Sequence, residues 1–157
     1  MSAVMDKTAI FAAILDAIRA EFDTLQRTSA KARADGNDQE SKAEGKYDTR
    51  STEDNYLADG LARQALAAAQ KGAAYKDFSP ARFEPDAAID VGALVLLGFP
   101  DEARWFFLGP AGGGIEVMHA GVQIVTLTPE SPLGRQLMGL KRGDSTVSPQ
   151  ATVRAVE

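Results

Sequence analysis

Seven carboxylates crowd into residues 35–54: Asp35, Asp38, Glu40, Glu44, Asp48, Glu53 and Asp54. Only Lys42, Lys46 and Arg50 oppose them, a local net of −4, whereas residues 7–34 and 55–76 on either side each carry a net of +2. Carboxylate oxygens suit Mg²⁺, and an ion held by only one or two of them keeps several of its waters. Such a cluster can therefore share an ion with a second macromolecule. Any of these acids could lend an oxygen ligand to such an ion. A solvated acidic loop is the other reading, because charge runs are commonly just that.

Other chemistries find little support. The chain has no cysteine and one histidine, His119, which excludes disulfides, thiolate catalysis and Cys/His metal sites. No strained Gly-x-Ser-x-Gly turn accompanies that histidine, which reads as a polar residue near a hairpin turn. Gly109-Pro110-Ala111-Gly112-Gly113-Gly114 is not followed by Lys-Ser/Thr and leads into a strand, so it reads as a hairpin turn rather than a phosphate loop. A net charge of −5 argues against binding free duplex DNA. No apolar run approaches the roughly 20 residues that span a bilayer. The short patch from Thr8 to Leu15 lacks a basic leader, so the expected location is the cytoplasm.

The acidic cluster must be positioned by what flanks it. Phe11, Leu15, Ile18, Phe22 and Leu25 recur at alternating steps of four and three, a helical stripe that Ile10 and Ile14 widen at its start. Asp6 fits the cap of this helix, and Asp35-Gly36-Asn37 is expected to stop it. A second helix is expected from Ser51 or Thr52, with an apolar face of Leu57, Leu61, Ala65, Leu66 and Ala69. Two such rods joined by a short polar segment make an antiparallel hairpin with the acids at its tip.

Beyond the prolines of 77–85, short apolar runs alternate with Gly, Pro and Asp turns: 93–97, 104–108, 115–118, 122–127 and 152–156. The expected organisation is a helical hairpin over 1–76 with its acidic tip near 35–50, a linker over 77–85, and a small sheet domain over 86–157. The fold class is α+β: an N-terminal antiparallel coiled-coil hairpin followed by a β-sheet domain with one short helix. That helix belongs to Ser131-Pro132-Leu133-Gly134-Arg135-Gln136-Leu137. Pro132 fits its first position, Gly139 its stop, and Gly143-Asp144 a second break.

The wording Ser-Pro-Leu-Gly-x-x-Leu-x-Gly-x-x-x-Gly-Asp over 131–144 resembles the carboxy-terminal domain of the GreA/GreB transcript-cleavage factors of bacterial RNA polymerase. Those factors also carry a hairpin tipped with carboxylates. The resemblance is specific over about 129–144 and architectural elsewhere, as for a divergent member. It implies an FKBP-like sheet domain that docks on RNA polymerase, with Ser131, Pro132, Leu133, Gly134 and Arg135 as candidate contact residues. It further implies that the hairpin enters the secondary channel and that its tip acids help hold Mg²⁺ for hydrolysis of backtracked RNA. Nascent RNA would then be met only indirectly, within the elongation complex. Such a chain is no enzyme alone and binds no cofactor in isolation. The tip departs from the family wording: Gly36 is followed by Asn37, and the segment to Tyr47 is about two residues longer. Asp38 stands for the family's Asp, Glu40 or Ser41 for its Glu, and Ala43-Glu44 for its Ala-Glu, so the resemblance implies Asp38, Glu40 and Glu44 as candidate catalytic residues, with Asp38 and Glu40 as candidate Mg²⁺ ligands. A relative that occupies the channel or surface without delivering metal is the alternative. An FKBP-like isomerase with a helical appendage is a third reading, although no aromatic-lined pocket can be assembled from these strands.

Overall fold

The first helix starts where a capping aspartate permits it. Asp6 Oδ1 accepts the Ala9 N–H at 3.1 Å, and α1 runs over Lys7–Lys42. The computed structural model describes the backbone of residues 5–42 and 49–157, and the side chains of 5–35, 53 and 55–157. Asp35-Gly36-Asn37 does not stop α1, contrary to expectation. A single interior glycine costs a helix about 1 kcal/mol relative to alanine, and the good helix formers after it (Gln39, Glu40, Lys42) carry the helix across. The second helix, α2, spans Thr49–Lys76 and so begins before Ser51. Two compact units result: Ile18–Gly72, and Met1–Ala17 together with Ala73–Glu157.

In the first of these units, the hairpin stem, the buried positions of α2 are Ala58, Ala65 and Ala68, with Leu61 and Gly72 half-buried. Their steps of three and four mark one narrow seam. Leu57 and Leu66, expected to face inward, are 56% and 60% exposed, and Ala69 is exposed too. Small residues win the inward face because they let the helices approach closely. At Gly72 an added Cβ would already lie 3.6 Å from the Ile18 side chain. From α1 the seam takes Ile18, Phe22, Leu25, Ser29 and Ala32.

The second unit contains a six-stranded mixed sheet. Its strands are β1 (Leu94–Gly98), β2 (Ala103–Leu108), β3 (Glu116–His119), β4 (Val122–Leu127), β5 (Ser145–Val147) and β6 (Gln150–Val156), with α3 (Pro132–Leu137) between β4 and β5. Their spatial order is β3-β4-β2-β1-β6-β5. β2 and β4 run parallel, with Trp105 opposite Ile124; the other neighbours are antiparallel. β4 thus lies between β2 and β3. The glycine-rich 109–114 segment is therefore a crossover and not a hairpin turn. The true tight turn follows His119, where Ala120 and Gly121 both take positive φ, 51° and 78°.

Phe106 and Phe107 are buried on opposite faces, as alternation requires, and Trp105 is half-buried. One face carries a core of Ile89, Val95, Leu97, Phe106, Leu108, Leu137, Ala151, Val153 and Val156. On the other, Leu94, Phe107 and Ile124 are fully buried, as are Ile10, Ile14 and Tyr75 from the helix ends that belong to this unit. Tyr75 lies against Gly109, where a Cβ would collide with its hydroxyl. The Phe11 ring lies tilted against Tyr75, at 5.6 Å between centroids, and against Phe78, at 6.4 Å. The Tyr75 hydroxyl has no hydrogen-bond partner among the described residues, and burial pushes its pKa up to about 12.

Candidate functional site

Every signature residue of 131–144 does local structural work. Ser131 caps α3: its Oγ accepts the Gly134 N–H at 3.1 Å and donates to the Thr128 carbonyl at 2.7 Å. Pro132 occupies the first turn, where its missing donor costs nothing. Gly134 is buried, and a side chain there would run into the Thr128 backbone carbonyl. Leu137 is fully buried and Leu133 packs against the same core. Gly139 ends the helix at φ 83°, its N–H reaching the Ile89 carbonyl at 2.8 Å. Gly143 takes φ 95°, and Asp144 Oδ2 accepts the Lys141 N–H at 2.9 Å to close the next turn. Of the five candidate contact residues, Pro132 and Arg135 are exposed, Ser131 and Leu133 are half-buried and Gly134 is buried.

Three bonds from a single glutamine stiffen the neighbouring β5–β6 turn. Gln136 Oε1 accepts the N–H groups of Val147 (2.9 Å) and Ser148 (3.2 Å), and its Nε2 donates to the Ser148 carbonyl at 2.6 Å. Val147, 87% exposed, stands at the end of this hairpin. Neither Gln136 nor β5 was marked by sequence reasoning. A three-residue strand carries too short an alternation to register, and a glutamine bonded to backbone has no motif.

The tip candidates divide differently. Asp38 and Glu40 fall within the bounds of α1, with side chains outside the described residues; Glu44 lies outside them altogether. Among the described residues, which do not include the side chains of Asp38, Glu40 or Glu44, no group of three or more His, Cys, Asp or Glu could hold a metal ion. Carboxylates are the right donors for Mg²⁺, but positions two apart on a helix occupy different faces. While α1 stays helical there, positions 38 and 40 do not share a face. A single carboxylate still suffices for an ion that keeps its waters.

Lys7 is a further charged group at the start of α1. Its Nζ donates to the carbonyls of Ala81 (2.7 Å) and Glu157 (3.0 Å) and sits 4.7 Å from the Phe83 ring centroid. Burial lowers its pKa from 10.5 to about 8, outweighing Glu157, which raises it. Between those values the unfolded chain binds more protons than the folded one. Stability is therefore expected to rise with pH across about 8 to 10.5, by an amount that partial solvent exposure keeps small. Following the Lys7 side-chain NMR signals against pH checks this. Titration in the ordinary lysine range would show that the carbonyls and the ring hold the charge after all. Nearby, His119 Nε2 accepts the Asp6 N–H at a long 3.4 Å.

No family model matches the chain, and none of the curated proteins does. Among solved structures it is similar to GreA factor homolog 1 of Thermus thermophilus, at 16% sequence identity over 94% of each chain and a TM-score of 0.35. Among the described residues no helix is long and apolar enough to cross a membrane.

Proposed function

We propose that the chain is a Gre-like elongation factor that binds RNA polymerase through its sheet domain, works in the cytoplasm, and inserts its hairpin into the secondary channel. There it stimulates the polymerase's own cleavage of backtracked RNA. The observation that carries the reading is the coexistence of two features: the 131–144 signature, folded as a capped helix on a sheet core, and a helical hairpin whose tip is the most acidic part of the chain. Mg²⁺ held jointly by the polymerase and a tip carboxylate would supply a polarised water and charge neutralisation at the phosphodiester. This chain's own part is to dock, to carry the carboxylates on a rod, and to present them; it binds no cofactor alone and is not itself an enzyme.

A second reading has one observation in its favour. Because α1 continues through Gly36 and Asn37 to Lys42, positions 38 and 40 are set on different faces, which suits a channel occupant that delivers no metal. Pull-down of purified RNA polymerase by the full chain tests what the two readings share, and absence of binding would overturn both.

A further inference from the structure

A seam made of alanines buries little apolar area per turn, so the upper stem needs another means of staying closed. Ala58, Ala65 and Ala68 are the buried positions of α2 in this unit, against Ile18 and Ser29 of α1. Phe22, Leu25 and Leu61 add half-buried bulk as far as the turn before Ser29; beyond it the seam holds the small residues Ser29, Ala32 and Ala58, so apolar bulk thins towards the distal end. Ser29 is 8% exposed, and its Oγ donates across the seam to the Ala58 carbonyl at 2.9 Å. One turn farther along, Arg33 Nη2 meets Asp59 Oδ1 at 2.9 Å, but both side chains are 55% exposed, so solvent weakens that pair. With the small Ala58 at the seam, the Ser29 hydroxyl comes within hydrogen-bond distance of a carbonyl on the neighbouring helix.

We infer that Ser29 is a positioning residue: its bond to the Ala58 carbonyl holds the distal hairpin stem closed and thereby sets where the tip carboxylates stand. On opening, water takes over from this bond, so the clamp is worth the net value of one hydrogen bond, and removing the hydroxyl shifts the balance towards the open stem. The link to the tip's task rests on the polymerase reading; the clamp itself does not.

The test uses the full chain free in solution. Because the sequence has no cysteine, spin labels go only where cysteines are introduced. One pair, Asp35→Cys with Glu53→Cys, reports on the distal stem; another, Glu21→Cys with Gln70→Cys, reports on the proximal stem. All four positions are exposed. In the distal pair, Ser29→Ala is expected to enlarge a long-distance, opened population about fivefold, the worth of one net hydrogen bond. The proximal distribution stays unchanged, and Ser29→Thr, which keeps the hydroxyl, restores the distal one. Asp59→Asn leaves both nearly as they were. An unaltered distal distribution in Ser29→Ala overturns the inference. So does equal broadening of both pairs, failure of threonine to restore, or loss of helical circular dichroism in the alanine variant. None of these outcomes depends on whether the chain binds polymerase.

Discussion

Leu137→Ala is expected to cost the sheet-containing unit roughly 2–5 kcal/mol, the usual range for truncating a fully buried leucine. Leu137 is 0% exposed and belongs to the core with Val95, Phe106 and Val153. Gly134→Ala should add its own loss of about 1–3 kcal/mol, the common cost of overpacking. The new Cβ would meet the Thr128 carbonyl, which is backbone and cannot swing aside as a side chain would. Arg135→Ala, on the exposed side of the same helix, should stay within about 0.5 kcal/mol of wild type. Denaturant midpoints for the three variants read their stability, and RNA polymerase pull-down reads the docking role proposed for the exposed side of the helix. Stability should follow Leu137 and Gly134, while polymerase affinity should follow Arg135. A Leu137→Ala midpoint equal to wild type would mean that α3 is not packed as described.

That split explains why 131–144 was the most legible part of the sequence. Its residues are constrained by backbone geometry: a cap at Ser131, a close approach at Gly134, positive φ at Gly139 and Gly143. Constraints of that kind admit few residue types, so they leave a readable pattern. The Asp6 cap and the β4 boundaries were legible for similar local reasons. The face of α2 was legible only in part, with Ala65 buried and Leu61 half-buried as expected. Hydrophobicity pointed to Leu57 and Leu66, but interhelical distance selected alanine and glycine, and the leucines were left outside. The parallel pairing of β2 with β4 was also hidden, because a glycine-rich connection looks alike whether it closes a hairpin or crosses past a strand. Gly36 misled in the opposite direction: a residue that often ends helices was outvoted by its neighbours. The site suffered most from this, since the boundary of α1 decides whether positions 38 and 40 are loop or helix.

The tip itself should therefore respond unequally to loss of its acids. Asp38→Asn, Glu40→Gln and Glu44→Gln each keep size and polarity while removing the charge that a metal needs. If the hairpin delivers Mg²⁺, at least one of the three should lower stimulated RNA cleavage by at least the 10- to 100-fold typical of losing even an outer-sphere metal partner. Polymerase binding should hardly change, since docking is proposed for the sheet domain. Raising Mg²⁺ should recover part of the loss, as for any weakened ion site. Position on the helix gives the expected pattern. With 38 and 40 on different faces, one of the two substitutions should be far more damaging than the other, whereas a shared site would make them comparable. Cleavage assays on stalled elongation complexes read all of this directly. If all three variants cleave like wild type, the carboxylates hold no ion and metal delivery is wrong. If the wild-type chain binds polymerase and never stimulates cleavage, the acidic tip serves to occupy the channel. Its charge would then act by repelling RNA phosphates, not by bringing a cation to them, and salt should weaken that inhibition.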